Sequence, residues 1–91
     1  MKNPEKFFEQ AQKGIVTVVF EKLHTKEIRT MPCTLNSDFG DFVIEIKKYD
    51  SKSDNFVVWC TDKDAWRSFR VSTVIDWYEG EPKWVVNYMQ I

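Results

Sequence analysis

The sequence predicts a mostly-β domain, a small and strongly bent sheet or barrel of five or six strands with one short N-terminal helix. Three observations carry this expectation. From Ile15 onward the apolar residues come in short runs, β-branched and aromatic, that alternate with polar ones at the period of a strand. Tight polar connections separate the runs. Only the first residues carry helix signals at both ends. Closing such a sheet removes edges that a chain of 91 residues could not otherwise cover.

Asn3-Pro4-Glu5 has the form of a helix start: an Asn cap, a proline where a missing N–H costs nothing, and an acid in the first turn. Lys13-Gly14 supplies a basic last turn and a stop, so the helix runs over 4–13. Phe7, Phe8 and Ala11 share one face. A helix of about three turns is marginal alone, so the two rings must pin it against the sheet.

From Ile15 to Lys22, Val16, Val18 and Phe20 alternate with Thr17, Val19 and Glu21, which marks the first strand. Leu23-His24-Thr25-Lys26 reads as a hairpin connection. Glu27 to Leu35 is the second strand, with Arg29, Met31, Cys33 and Leu35 on one side. Pro32 cannot donate to a ladder, so this strand is expected at an edge or bulged there. Residues 42–48 read as a strand through Phe42, Ile44 and Ile46; the rival is a short helix, because Phe39, Phe42, Val43 and Ile46 also fit helical spacing. Asn55 to Thr61 is a buried strand, Asp62-Lys63-Asp64-Ala65 turns it back, and Trp66 to Val71 returns beside it. Val74 to Tyr78 and Lys83 to Met89 read as two more strands around Glu79-Gly80-Glu81-Pro82. Nothing marks a second domain: the barrel covers about 14–79 and a C-terminal strand about 83–89 of a single unit, 1–91.

With 43% hydrophobic and 15% aromatic residues, the chain is too apolar for a disordered polypeptide. Thirteen basic residues against 14 acidic, a net charge of -1, exclude a domain that is basic as a whole, so any nucleic-acid site must be a local patch. No apolar run approaches the ~18–20 residues that span a bilayer, and MKNPEKFFEQ lacks the apolar stretch of a signal peptide. A non-membrane protein of a reducing compartment is expected. Cys33 and Cys60 lack the paired spacing of a zinc site and read as buried thiols, with a disulfide or a reactive thiol as the alternative.

No catalytic residue is identified. His24 sits in a predicted turn with no nucleophile or orienting partner beside it. Asp38, Asp41, Asp50, Asp54, Asp62 and Asp64 do not follow the pattern of a calcium loop, and Gly14, Gly40 and Gly80 are too far apart for a phosphate loop. No metal or cofactor is expected, and the protein is read as a binding protein rather than an enzyme.

Trp66-Arg67-Ser68-Phe69-Arg70 stands out. On a strand, Trp66, Ser68 and Arg70 share one face and Arg67, Phe69 and Val71 the other, so each face carries an arginine and a ring. That mix suits a nucleic-acid strand, guanidinium for phosphate and ring for base. The alternative is that one face is core and the outward arginine pairs with Asp62, Asp64 or Asp76. Trp59, Trp77, Tyr78, Trp84 and Tyr88 add a heavy aromatic load. Trp77 and Tyr78 are consecutive on a strand and point to opposite faces, and an exposed ring beside Asp76, Glu79 and Glu81 would suit a protein contact.

Lys13-Gly14-Ile15-Val16-Thr17-Val18-Val19-Phe20, Arg29-Thr30-Met31-Pro32-Cys33-Thr34-Leu35-Asn36, and above all Val58-Trp59 followed by Trp66-Arg67-Ser68-Phe69-Arg70-Val71, resemble short bacteriophage proteins with a WYL-like, Sm-like SH3 β-barrel. The resemblance spans roughly 13–75. It implies the barrel fold, a host-cell cytoplasmic setting, and Arg67 and Arg70 as ligand contacts with Trp66 and Phe69 beside them. The Trp-Tyr-Leu signature is absent in its usual form, Trp77-Tyr78-Glu79 being the nearest string, and the chain continues past the arginine strand to Ile91.

Two functions follow. The first is binding of RNA or single-stranded DNA through Arg67 and Arg70, with Trp59, Trp66 or Phe69 stacking on bases. The alternative is a protein modulator that masks a host enzyme, toxin nuclease or defence component through Trp77, Tyr78 and Trp84. Homo-oligomer formation through an edge strand is compatible with both. Location separates them: internal salt bridges at both arginines would remove the first, and burial of Trp77 or Trp84 would remove the anchor of the second.

Overall fold

The computed structural model describes residues 1–40 and 52–82. The expected elements at 42–48 and 83–89 lie outside them. Helix α1 spans Pro4–Lys13, and five strands follow: β1 (Ile15–Glu21), β2 (Ile28–Thr34), β3 (Asn55–Cys60), β4 (Ala65–Arg70) and β5 (Val74–Glu79). They form one antiparallel sheet in the order β4-β3-β2-β1-β5. Short 3-10 turns at Ser37–Phe39 and Val71–Thr73 follow β2 and join β4 to β5.

The helix starts and stops where the sequence places it, but Asn3 does not cap it through its side chain. Asn3 adopts φ 45°, ψ 62°, left-handed rather than the extended geometry that aims a cap oxygen at the next amides. Phe7 and Phe8 pin the helix as expected. Phe7 is fully buried and meets Phe56 (5.1 Å), Phe69 (5.9 Å) and Trp77 (5.3 Å) edge-on. These rings come from β3, β4 and β5, so the sheet curls until its two edge strands face each other across Phe7. Around this ring the core gathers Val16, Val18, Met31, Leu35 and Val58, the inward positions of the strand alternation.

Pro32 is not on an edge strand. β2 lies inside the sheet, paired with β1 along its whole length, and no register shift marks that pairing. The reason is directional. Pro32 accepts a hydrogen bond from Thr61 N–H (3.1 Å) on the β3 side, so its missing N–H also faces β3 and leaves the β1 ladder intact. Register pairs with β3 are Cys33↔Cys60 and Thr34↔Trp59, extended by that Thr61–Pro32 bond. The register shift lies elsewhere, between Val19 and Phe20 against β5, where Ile75 is the extra residue and stands exposed. Gly80 ends β5 at φ 90°, a region side chains rarely enter, while its carbonyl accepts from Thr17 Oγ1 (2.7 Å).

Candidate functional site

The concave side of the sheet opens into a groove of about 770 Å³. One wall is the end of β1 with the following connection and Arg29 of β2; the other is β4 with Lys63 from the turn before it. Phe20 and Phe69, both buried, form its apolar floor. Lys22, Arg29, Lys63, Arg67 and Arg70 line it against one acid, Glu21, so a chain of net charge -1 concentrates positive charge in one concavity.

The cations are not equivalent. Arg29 lies 3.6 Å from Asp62, and Arg70 lies 3.7 Å from Asp54. Glu21 is drawn away by Lys26, at 3.8 Å. Lys22, Lys63 and Arg67 have no ion pair among the described residues; Arg67 donates only to the carbonyl of Trp66 (3.2 Å). The acid that holds Arg70 is itself fixed. Ser72 donates to Asp54 through its amide and its hydroxyl, each at 2.9 Å. Those two bonds, hydroxyl first, and the Arg70 charge hold the Asp54 carboxyl below its ordinary pKa. The expected partners Asp62, Asp64 and Asp76 are thus not those of β4's arginines: Asp62 serves Arg29, and Asp76 pairs with Lys2 at 2.9 Å.

The proposed rings do not join the arginines. Phe69 lies on the groove side, but it is buried and stacked against Phe56 (5.5 Å) and Phe20 (5.6 Å), so it offers little surface to a base. Trp59 and Trp66 are cross-strand partners on the opposite face of the β3–β4 hairpin, edge-on at 5.6 Å. Trp59 is buried and Trp66 is 38% exposed. Trp77 is buried too, its indole N–H donating to Lys2 O (2.6 Å), while Tyr78 is half-buried and Trp84 lies outside the described residues.

Sequence reasoning found Arg67 and Arg70 but missed Lys22, Arg29 and Lys63. One signal was available for Arg29, which shares the strand side of Met31 and Cys33: a cation on an otherwise apolar strand face must end at a rim or a partner. His24 is exposed in the β1–β2 connection, as expected, and borders the groove.

A family model described as WYL_2, Sm-like SH3 beta-barrel fold, matches residues 5–75, which takes in α1 but for Pro4, the first four strands and the start of β5. No curated protein and no solved structure is matched.

Proposed function

The chain belongs to the WYL_2 family of Sm-like SH3 β-barrels, and from that premise we propose that it is a binding module for single-stranded nucleic acid, RNA or DNA. The barrel hosts many functions, so the site has to carry the reading. The observation that carries it is the placement of Lys22, Lys63 and Arg67, three cations without ion pairs among the described residues, around one groove with an apolar floor. Cations so placed are free to take phosphates without first giving up an internal partner.

Because Phe69 is buried among core rings, the groove holds the phosphate backbone rather than stacked bases. Binding then depends steeply on salt and little on sequence. Only one of the two β4 arginines is salt-bridged, so the patch survives its own internal acids. Burial of Trp77 removes the anchor of the protein-modulator alternative, which leaves the groove as the better-supported surface.

The test is fluorescence polarisation with labelled single-stranded RNA and DNA at two salt concentrations, wild type beside Arg67→Ala confirmed folded. Salt-sensitive binding that Arg67→Ala weakens is the expected result. No binding by the wild type at tens of micromolar (about 10–100 μM, within the non-specific range) in low salt would overturn the reading.

A further inference from the structure

Cys33 and Cys60, remote in sequence, are directly opposed across the β2–β3 seam. Thr61 N–H bonds to Pro32 O, so the neighbouring Pro32/Thr61 pair occupies the hydrogen-bonded position of the ladder and Cys33/Cys60 the non-hydrogen-bonded one. There opposed side chains come closest, with Cα atoms roughly 4.5 Å apart, at the short end of the roughly 4.4–6.8 Å that a disulfide spans between Cα atoms. Both thiols are free, fully buried and part of the same core.

We propose that Cys33 and Cys60 form a dithiol site for oxidative modification, which a low-molecular-weight disulfide such as oxidised glutathione converts into a cross-strand disulfide. Cys60 reacts first. It lies at the end of β3 beside the turn, with its Sγ 2.6 Å from Asp62 Oδ1 and 3.8 Å from Arg29 Nη2, whereas Cys33 is flanked by paired strand on both sides. Cys60 gives up its proton and its sulfur attacks one sulfur of the oxidant, whose S–S bond breaks and releases one thiol. Cys33 then loses its proton and attacks Cys60 Sγ, which expels the second thiol. Two S–H bonds and one S–S bond break, one protein S–S bond forms, and the two electrons lost by the protein reduce the oxidant to two thiols.

Burial and the bond to Asp62 keep Cys60 protonated, and burial keeps Cys33 so, which makes the reaction slow and dependent on transient opening of the seam. The seam is suited to that opening. Two register pairs join β2 to β3, while β1 and β2 pair from Ile15↔Thr34 to Glu21↔Ile28. It also divides the groove, with Lys22 and Arg29 on one side and Lys63 and Arg67 on the other. The disulfide would therefore fix the two walls to each other. This inference stands on the cysteine register alone, not on nucleic-acid binding.

The test incubates the folded full chain with oxidised glutathione and follows intact mass, thiol count and peptide map. The expected product has lost two hydrogens, yields a linked Cys33–Cys60 peptide, returns to dithiol with a reductant and melts about 10 °C higher. Cys33→Ser, lacking the resolving thiol, should stop at a glutathione adduct on Cys60. A wild-type chain that ends as a stable glutathione adduct overturns the proposal. So does one that keeps both thiols under conditions that fully oxidise the urea-unfolded chain.

Discussion

The ring of Phe69 lies parallel to that of Phe56, with centroids 5.5 Å apart and planes within 1° of each other, and Phe20 also stacks on it at 5.6 Å. A residue that the sequence offers as a base-stacking ring is therefore a buried member of a core ring cluster. Phe69→Ala should cost about 3–5 kcal/mol, enough to endanger a small domain. Phe69→Leu fills much of the space and should cost about 1–2 kcal/mol in urea denaturation. The Leu variant should keep the oligonucleotide affinity of the wild type. A large loss of affinity in a folded Phe69→Leu protein would mean that the ring touches the ligand.

Arg67 and Arg70 are close in sequence but differ in what they already hold. Arg67 has only a backbone carbonyl, and Arg70 has Asp54. Arg67→Ala should reduce the salt slope of single-strand binding by about 0.7, the share of one phosphate contact. Arg70→Ala should reduce it less. Asp54→Asn should release Arg70 and raise affinity at low salt. Equal losses from both arginines, with no gain from Asp54→Asn, would show that the ion pair does not restrain Arg70.

Local signals made the fold legible. Pro4, Lys13 and Gly14 fix the helix, and the alternation through Val16, Val18 and Phe20 or Phe56, Val58 and Cys60 fixes which strand face is core. The errors came from properties set at long range. Pro32 excludes a hydrogen bond in one direction only, and which neighbour lies in that direction depends on strand order. The groove is hidden for the same reason. Lys22 follows β1 and Lys63 lies in the turn between β3 and β4, and only the curl of the sheet brings them to one concavity with Arg67. The opposition of Cys33 and Cys60 depends on a register set across a connection of many residues, which no local pattern encodes.

Asp54 gives the protein an acid-sensitive link between the start of β3 and the turn after β4. Its folded pKa is depressed, chiefly by the Ser72 hydroxyl, so its contribution is present above the unfolded value of about 3.9 and is lost as pH falls through the folded one. Urea midpoints followed from about pH 5 down to about pH 2.5 should fall more steeply for the wild type than for Asp54→Asn, and the two curves should converge at the acid end. Parallel curves would show that the Ser72 bonds add no pH dependence.

Thr34 ties the helix to the sheet through a single hydroxyl. Its Oγ1 lies 2.8 Å from Gly14 O and 3.2 Å from Ala11 O, and it accepts the amide of Asn36 at 3.0 Å. The residue is fully buried, so water cannot replace those partners. Burial alone would make Thr34→Val neutral or favourable, because a methyl group replaces a polar one of similar size. The hydrogen bonds reverse that sign. Valine would leave a helix-end carbonyl and the Asn36 amide short of partners, at a cost of roughly 1–3 kcal/mol. Thr34→Ser keeps the hydroxyl and loses one methyl, about 0.8 kcal/mol. Chemical denaturation should therefore rank threonine first, serine second and valine last. Valine above serine would mean that the Thr34 hydroxyl does not hold α1 to the sheet.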